Sequence, residues 1–440
     1  MKKLISFFLI FGAFFTSFSQ AVNTSKLDEY FNVLEENKKV MGSFAIAKND
    51  KIIYTKTIGL ADSEPEKKAD NNTLYRIGSI SKTFTAVLTM KAVEEKKLKL
   101  DTQLNAFFPQ IKNAEKISID QLLSHRSGIH NFTDDIDFFG YYDSPVSQET
   151  LLSNIQQGGN DFEPGEKYSY SNSNYVVLAL ILEKIYKKNY ASLVEEKIIK
   201  PLKLKNTRVM EKIDSEKGMA HSFTYSRNKI IKSKETHPNV TVGAGNMMST
   251  PSDLLTFIMA LENGKLVRKE SLKKMQDYKD DYGYGLFPVP FHGKTGYGHN
   301  GRIDDFQSVL YYFPDGKISF AMVTNQSNFD NNSISIAALS AAYGMGFKIP
   351  SFKIIQLKEE ELQPFAGTYS HPEFPLKINI FIKDGKLLGQ ATGQGAFPLD
   401  AVSQNEFTFE QAGITMKFNA EKGEMFYTQM GQALTFTKEK

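Results

Sequence analysis

Two strand pairs at opposite ends of a long helical stretch constrain this chain more than any other feature. The run "GSFAIAKNDKIIYTKTIGLAD" holds two β-rich segments around Asn49, Asp50 and Lys51, which reads as a hairpin. Far downstream, "FQSVLYYF" and "ISFAMVTNQ" flank Pro314-Asp315-Gly316-Lys317 and read as a second one. From about residue 79 to 275 most segments have helical length and spacing, such as "NYVVLALILEKIYKK" and "SDLLTFIMALENGK". Strands at both ends enclosing helices predict one antiparallel sheet closed by distant parts of the chain, flanked by helices and carrying an inserted helical subdomain, an α/β (α+β) class. From about 355 the pattern changes to short alternating runs, "PLKINIFI", "NEFTFEQ" and "ITMKFNA", with turns at Asp384-Gly385 and Lys422-Gly423. This predicts a small C-terminal β-meander or barrel over 355–440, after a larger domain over 21–350.

Composition removes several function classes. A net charge of +3, with both signs interspersed, asks for neither nucleic acid nor an acidic membrane surface as partner. The first twenty residues, "MKKLISFFLIFGAFFTSFSQ", combine a basic start at Lys2 and Lys3, an apolar run from Leu4 to Phe15, and small residues Ser17 and Ser19 at cleavage spacing. Residues 1–20 thus read as a signal peptide, with export to the periplasm or medium expected. No later segment suits a membrane span. The chain has no cysteine, so disulfides and thiol catalysis are excluded.

The nucleophile candidate lies in "YRIGSISKTFTAVLTM", where Ser79 stands three residues before Lys82. Placed at a helix start, this spacing sets hydroxyl and amine on neighbouring faces, so the amine can activate the hydroxyl. Ser-x-x-Lys also occurs at Ser226/Lys229 and Ser271/Lys274, both in Lys-rich polar surroundings that suit a solvated face. Lys82 differs because it is the sole charge between Arg76 and Lys91, and burial would lower its pKa toward the range where it accepts a proton. A Ser cap followed by a snorkelling lysine stays open as the bland alternative.

A second group, "EPGEKYSYSNSNYVVLALI", crowds Tyr168, Tyr170, Ser171 and Asn172 into a turn before an apolar helix. A tyrosine beside a lysine can act as general base, and an asparagine amide can orient a carbonyl; an ordinary capping loop would look the same. The stretch "HGKTGYGHNG" contains both Lys294-Thr295-Gly296 and His299-Asn300-Gly301. It fails as a phosphate loop, because position 288 is Pro288 and a hairpin follows rather than a helix. His125 and His130 are five apart, off helical metal-ligand spacing, and suit loop histidines making backbone hydrogen bonds. No metal and no cofactor is required.

Together, "YRIGSISKTFTA", "LLSHRSGI", "PGEKYSYSNSNY", "PLKLKNT", "GAGNMMSTPSDLLTF", "YGYGLF" and "GHNGRIDDFQSVLYYFPD" resemble, in family order, the serine β-lactamase and penicillin-binding protein superfamily over about residues 25 to 345. The closer match is its class C and D-Ala-D-Ala carboxypeptidase branch, and the C-terminal segment resembles the lipocalin-like appendages of some relatives. The resemblance implies Ser79 as nucleophile, Lys82 as its proton partner, and Tyr170 as the general base that later activates water. It also implies Asn172 as a substrate ligand and a covalent acyl-Ser79 intermediate. The family's third triad begins seven residues before a strand-opening phenylalanine. Counting back from Phe306 reaches His299, which leaves Lys294 in the preceding turn. His299 and Gly301 would then bind substrate, and the Arg302 backbone N–H would join that of Ser79 as the oxyanion hole.

Histidine where relatives carry lysine counts against an efficient β-lactamase and for peptide, amide or ester hydrolysis of D-Ala-D-Ala carboxypeptidase, D-peptidase or esterase type. A β-lactamase proper and a non-catalytic binding scaffold are the alternatives. The expected partner is a small-molecule or peptide substrate, with cell-wall-derived compounds among the candidates. Arg302 is expected to be exposed and paired with Asp304 or Asp305.

Overall fold

The computed structural model describes residues 22–226, 229–429 and 432–439. The expected signal peptide, residues 1–20, lies outside them. The central sheet has six antiparallel strands in the order Phe287–Phe291, Lys294–Ile303, Phe306–Phe313, Ile318–Ser327, Val40–Lys48 and Lys51–Ile58. Val40–Lys48 pairs with Ile318–Ser327, so the two hairpins read from sequence meet in one sheet despite their separation. The first hairpin turns at Asn49 and Asp50, whose φ of 51° and 61° suit the right-handed twist of the strands it joins.

Alternation along Val40–Lys48 explains why both faces of the sheet are covered. Phe44 and Ile46 point to one core, shared with Leu27, Phe31 and Leu34 of the helix Thr24–Glu36 and with Ile334 and Ala338 of the helix Asn331–Ala342. Ala45 and Ala47 point to the other, larger core, which holds Phe84 and Val87 of the helix Ser81–Glu94 and Phe257 of the helix Pro251–Glu262. Small alanines on this face let the helices approach closely. Phe84 and Phe257 stack with ring centroids 3.9 Å apart.

The expected turn around Lys294 is corrected. The turn is His292 and Gly293, and Lys294 opens the strand, paired with Phe291. The strand Phe287–Phe291 covers its neighbour only as far as Gly298. From His299 to Ile303 that side of the strand has no strand partner and faces the turn carrying Ser79, as the contact of both Gly301 and Arg302 with it shows.

The C-terminal segment is a closed barrel of eight antiparallel strands in sequence order, from Gly367–His371 to Gln432–Lys438, sealed by the pairing of Ser370 with Thr437. Its interior is filled by side chains such as Tyr369, Phe407, Phe418, Met425 and Phe436. Period-two alternation in "ITMKFN" puts Met416 and Phe418 inside and Lys417 outside. Among the described residues no helix is long and apolar enough to cross a membrane.

Candidate active site

Ser79 sits in a tight turn, Gly78–Ile80, that leads directly into the helix Ser81–Glu94. The turn is pinned from both sides: Ser81 Oγ donates to the Gly78 carbonyl at 2.6 Å and accepts from the Met247 N–H at 3.0 Å. Gly78 has φ 49°, and a Cβ there would stand 2.7 Å from the Arg302 backbone nitrogen. A Cβ on Gly301 would stand 2.1 Å from the Ile77 carbonyl oxygen and 2.9 Å from Ser79 N. These two glycines are what allow the His299–Ile303 backbone to lie against the serine turn.

Lys82 is one helical turn on and fully buried. Its Nζ lies 3.1 Å from Ser79 Oγ, 2.7 Å from Asn172 Oδ1 and 2.8 Å from the Ala244 carbonyl oxygen. Burial drives its pKa well below that of a free lysine. Asn172 Oδ1 and the Ala244 carbonyl can only accept, so each takes an amine proton, and once the amine is deprotonated its lone pair is what faces Ser79 Oγ. The bland alternative of a snorkelling lysine is excluded, since the amine ends among protein acceptors and not in solvent.

Tyr170 donates from its hydroxyl to Ser79 Oγ at 2.9 Å. Burial pushes its pKa up, and the bond to Ser79 only partly offsets this, so the resting phenol keeps its proton. Asn172 is held at both ends: Oδ1 accepts from Lys82 and Nδ2 donates to Thr133 Oγ1 at 2.9 Å. In the resting site it is thus an orienter of Lys82.

His299 is buried, with Nε2 2.9 Å from the Tyr282 hydroxyl and Nδ1 2.5 Å from the Asn300 carbonyl oxygen. A carbonyl can only accept, so Nδ1 carries the proton and Nε2 accepts from Tyr282. Burial lowers the imidazole pKa to about 3, and the ring is neutral at any ordinary pH. A cleft of 660 Å³ opens over Ser79, walled by Tyr170, Tyr282, His299, Arg302 and Asn331. The seven predicted site residues, Ser79, Lys82, Tyr170, Asn172, His299, Gly301 and Arg302, therefore converge on one place.

Lys294 does not join them. It forms an ion pair with Asp315 at 2.5 Å, away from the cleft. Ser226 and Lys229 lie in a separate two-stranded ladder, and Ser271 donates to Glu94 while Lys274 pairs with Asp277, so the Ser271/Lys274 repeat forms no serine–amine pair.

The β-lactamase family model matches residues 29–343. The chain belongs to the β-lactamase family. It is a serine hydrolase of the β-lactamase and penicillin-binding protein superfamily, acting on amide, peptide or ester bonds. It is similar to the teichoic acid D-alanine hydrolase of Staphylococcus aureus, 27% identical over 300 residues, which cover 64% of this chain and 74% of that protein. Its fold resembles that of D-amino acid amidase from Ochrobactrum anthropi SV3, with TM-score 0.65 and 22% identity over 73% of this chain and 99% of that one. It also resembles the octameric penicillin-binding protein homologue from Pyrococcus abyssi, with TM-score 0.67 and 22% identity over 94% of this chain and 100% of that one.

Against this family background, two local expectations need correction. Arg302 is exposed as expected, but among the described residues it makes no ion pair. Asp304 is bound to Arg76 and Thr236, and Asp305 to Thr224 and Ser233. His130 bonds carboxylates through its ring, Asp161 at 2.8 Å and Asp135 at 3.1 Å, and its pKa is raised by them against the opposing effect of burial. His125 does accept a backbone bond, from Ser171 N–H at 3.1 Å, yet it is also part of the site's floor, with its ring centroid 4.3 Å from that of Tyr170. The residues missed by sequence are Tyr282, Thr133 and Arg76. Tyr282 stands in the quoted "YGYGLF", but only the fold shows its hydroxyl on His299. Among the described residues no group of His, Asp and Glu is arranged to hold a metal.

Proposed function

We propose that this chain is an exported hydrolase that removes small acyl groups of the D-aminoacyl ester or amide kind from cell-wall-derived compounds through an acyl-Ser79 intermediate. The observation that carries this reading is the buried Lys82 amine 3.1 Å from Ser79 Oγ, its other partners being the acceptors Asn172 Oδ1 and the Ala244 carbonyl, so that the deprotonated amine turns its lone pair to the serine. Lys82 takes the Ser79 proton as Oγ bonds to the substrate carbonyl carbon. The resulting oxyanion lies between the backbone N–H groups of Ser79 and Arg302. Collapse breaks the bond to the leaving nitrogen or oxygen, which receives its proton from the Tyr170 hydroxyl while Lys82 returns one to Tyr170. Water then attacks the acyl-serine, Tyr170 backed by Lys82 accepts its proton, and the acid leaves with Ser79 restored.

The neutral His299 favours substrates without a free carboxylate next to the scissile bond, because an imidazole with both nitrogens engaged offers no cation to such a group. The relatives' named activities, on D-alanine of teichoic acid and on D-amino acid amides, involve acyl groups of that kind. The carboxypeptidase-like and class C branch and a lipocalin type for the barrel are part of the same proposal. Sequential up-and-down strand order supports the latter. The reading is tested by comparing D-alanine esters, D-amino acid amides, D-Ala-D-Ala peptides and nitrocefin on the purified protein. Ester or amide turnover should exceed that of nitrocefin by at least about 100-fold. Faster turnover of nitrocefin would overturn it in favour of a β-lactamase.

A further inference from the structure

A buried ion pair joins the two segments that carry the backbone groups assigned to the oxyanion hole. Arg76 is three residues before Ser79, and Asp304 is two residues after Arg302. Their side chains are both buried, and Arg76 Nη1 donates to Asp304 Oδ2 at 2.8 Å. The same Nη1 donates to the Thr236 carbonyl at 2.9 Å, and Nη2 donates to Glu235 Oε2 at 2.9 Å. The other Asp304 oxygen accepts from the Thr236 backbone N–H at 2.9 Å and hydroxyl at 2.7 Å. Each end of the pair is thus fixed by further hydrogen bonds, which gives a buried pair a definite geometry.

Asp304 lies in the two-residue connection between Ile303 and Phe306 with φ 52°, a conformation that aspartate tolerates, and its carboxylate bonds groups outside that turn, Arg76 and Thr236. Meanwhile the turn of Ser79 and the strand at Arg302 touch backbone to backbone through Gly78 and Gly301, a contact that excludes side chains but sets no register along the strand. Ser308 Oγ adds one bond to the Ile77 carbonyl at 2.8 Å.

We propose that the Arg76–Asp304 pair is a positioning device for the oxyanion hole, locking the Ser79 turn and the His299–Ile303 strand at the spacing a tetrahedral intermediate requires. Neither side chain touches substrate. Loosening the pair lets the two backbone donors drift, which weakens binding of the transition state and leaves ground-state binding in the cleft intact. The inference rests on the acyl-Ser79 reading and names what holds its oxyanion site in register.

The test compares Asp304→Asn, which keeps the volume, Asp304→Gly, which relaxes the turn and removes the carboxylate, and Asp305→Asn as the adjacent control. Wild type is first labelled with a fluorophosphonate and Ser79 confirmed as the site; each variant is then assayed on a p-nitrophenyl ester and titrated with a boronic acid as tetrahedral mimic. Both Asp304 variants should lose about 10- to 100-fold in kcat with KM within about twofold, and boronate affinity should fall in step with kcat. Asp305→Asn should retain wild-type values. If folded Asp304→Gly protein keeps wild-type kcat and boronate affinity, or loses only KM, the positioning role is wrong. Should Asp304→Asn fail to fold, the glycine variant decides alone. Wild-type protein left unlabelled at Ser79 overturns the acyl-serine reading and the positioning role together, whereas labelled wild type with unaffected variants overturns the positioning role only.

Discussion

At the scale of single residues, charge state decides what each group can do. Among the described residues Lys82 has no carboxylate partner, and burial drives its pKa well below that of a free lysine; burial also holds His299 neutral, with Tyr282 donating to it. Lys294, the residue whose Lys-Thr-Gly spelling looks most like the family motif, spends its charge on Asp315. His299→Ala should therefore lower kcat/KM on a p-nitrophenyl ester by about tenfold or more, since it leaves the buried Tyr282 hydroxyl without its partner on the cleft wall. Lys294→Ala should stay within about twofold, because an exposed ion pair contributes little. The reverse ranking would return the third-motif role to Lys294. The choice was legible in sequence only through spacing to Phe306; the burial that makes His299 neutral and its bond from Tyr282 depend on packing that no local pattern reveals.

At the scale of elements, the site exists because one strand is left uncovered where it passes the nucleophile turn. Phe287–Phe291 stops pairing at Gly298, and the next residues meet Ile77, Gly78 and Ser79 instead. A methyl group at Gly301 would collide with the Ile77 carbonyl, which is backbone and cannot rotate away. Gly301→Ala should thus reduce esterase kcat by at least about 100-fold while circular dichroism stays native, because the displaced groups are the assigned oxyanion donors. Wild-type turnover in that variant would show that the strand does not serve the reaction. Hairpins and long helices were legible because period and turn residues are local signals. The start of the strand at Lys294 was not, since Lys-Thr-Gly has the composition of a turn and is held extended by pairing with Phe291 and its neighbours.

At the scale of the whole molecule, the hydrolase sheet joins residues 40 and 327, and the cleft draws on segments as distant as Ser79 and Asn331. The barrel approaches this cleft, with Gly413 against the side chain of Asp330, which caps the helix bearing Asn331. The sheet architecture and separate β unit could be read in advance from the order of strand and helix patterns. The pairing of Arg76 with Asp304 could not. Sequence adjacency favours Arg302 as the partner of Asp304, but the positive φ of the turn directs the carboxylate inward while Arg302 faces solvent. All of these parts bear on the one chemical event proposed above, transfer of an acyl or phosphonyl group to Ser79 with Lys82 as base. It is tested most directly by peptide mass mapping after fluorophosphonate treatment, with labelling rates followed across pH in wild type, Ser79→Ala and Lys82→Met. The adduct should form on Ser79 alone and be absent from Ser79→Ala. Labelling of Lys82→Met should be slower by at least about 1,000-fold. Because the folded pKa of Lys82 lies well below that of free lysine, the wild-type rate should rise as the amine loses its proton and level off well before pH 10. An adduct on another residue, no adduct, or a rate that climbs only near the pKa of free lysine would contradict the neutral-lysine mechanism.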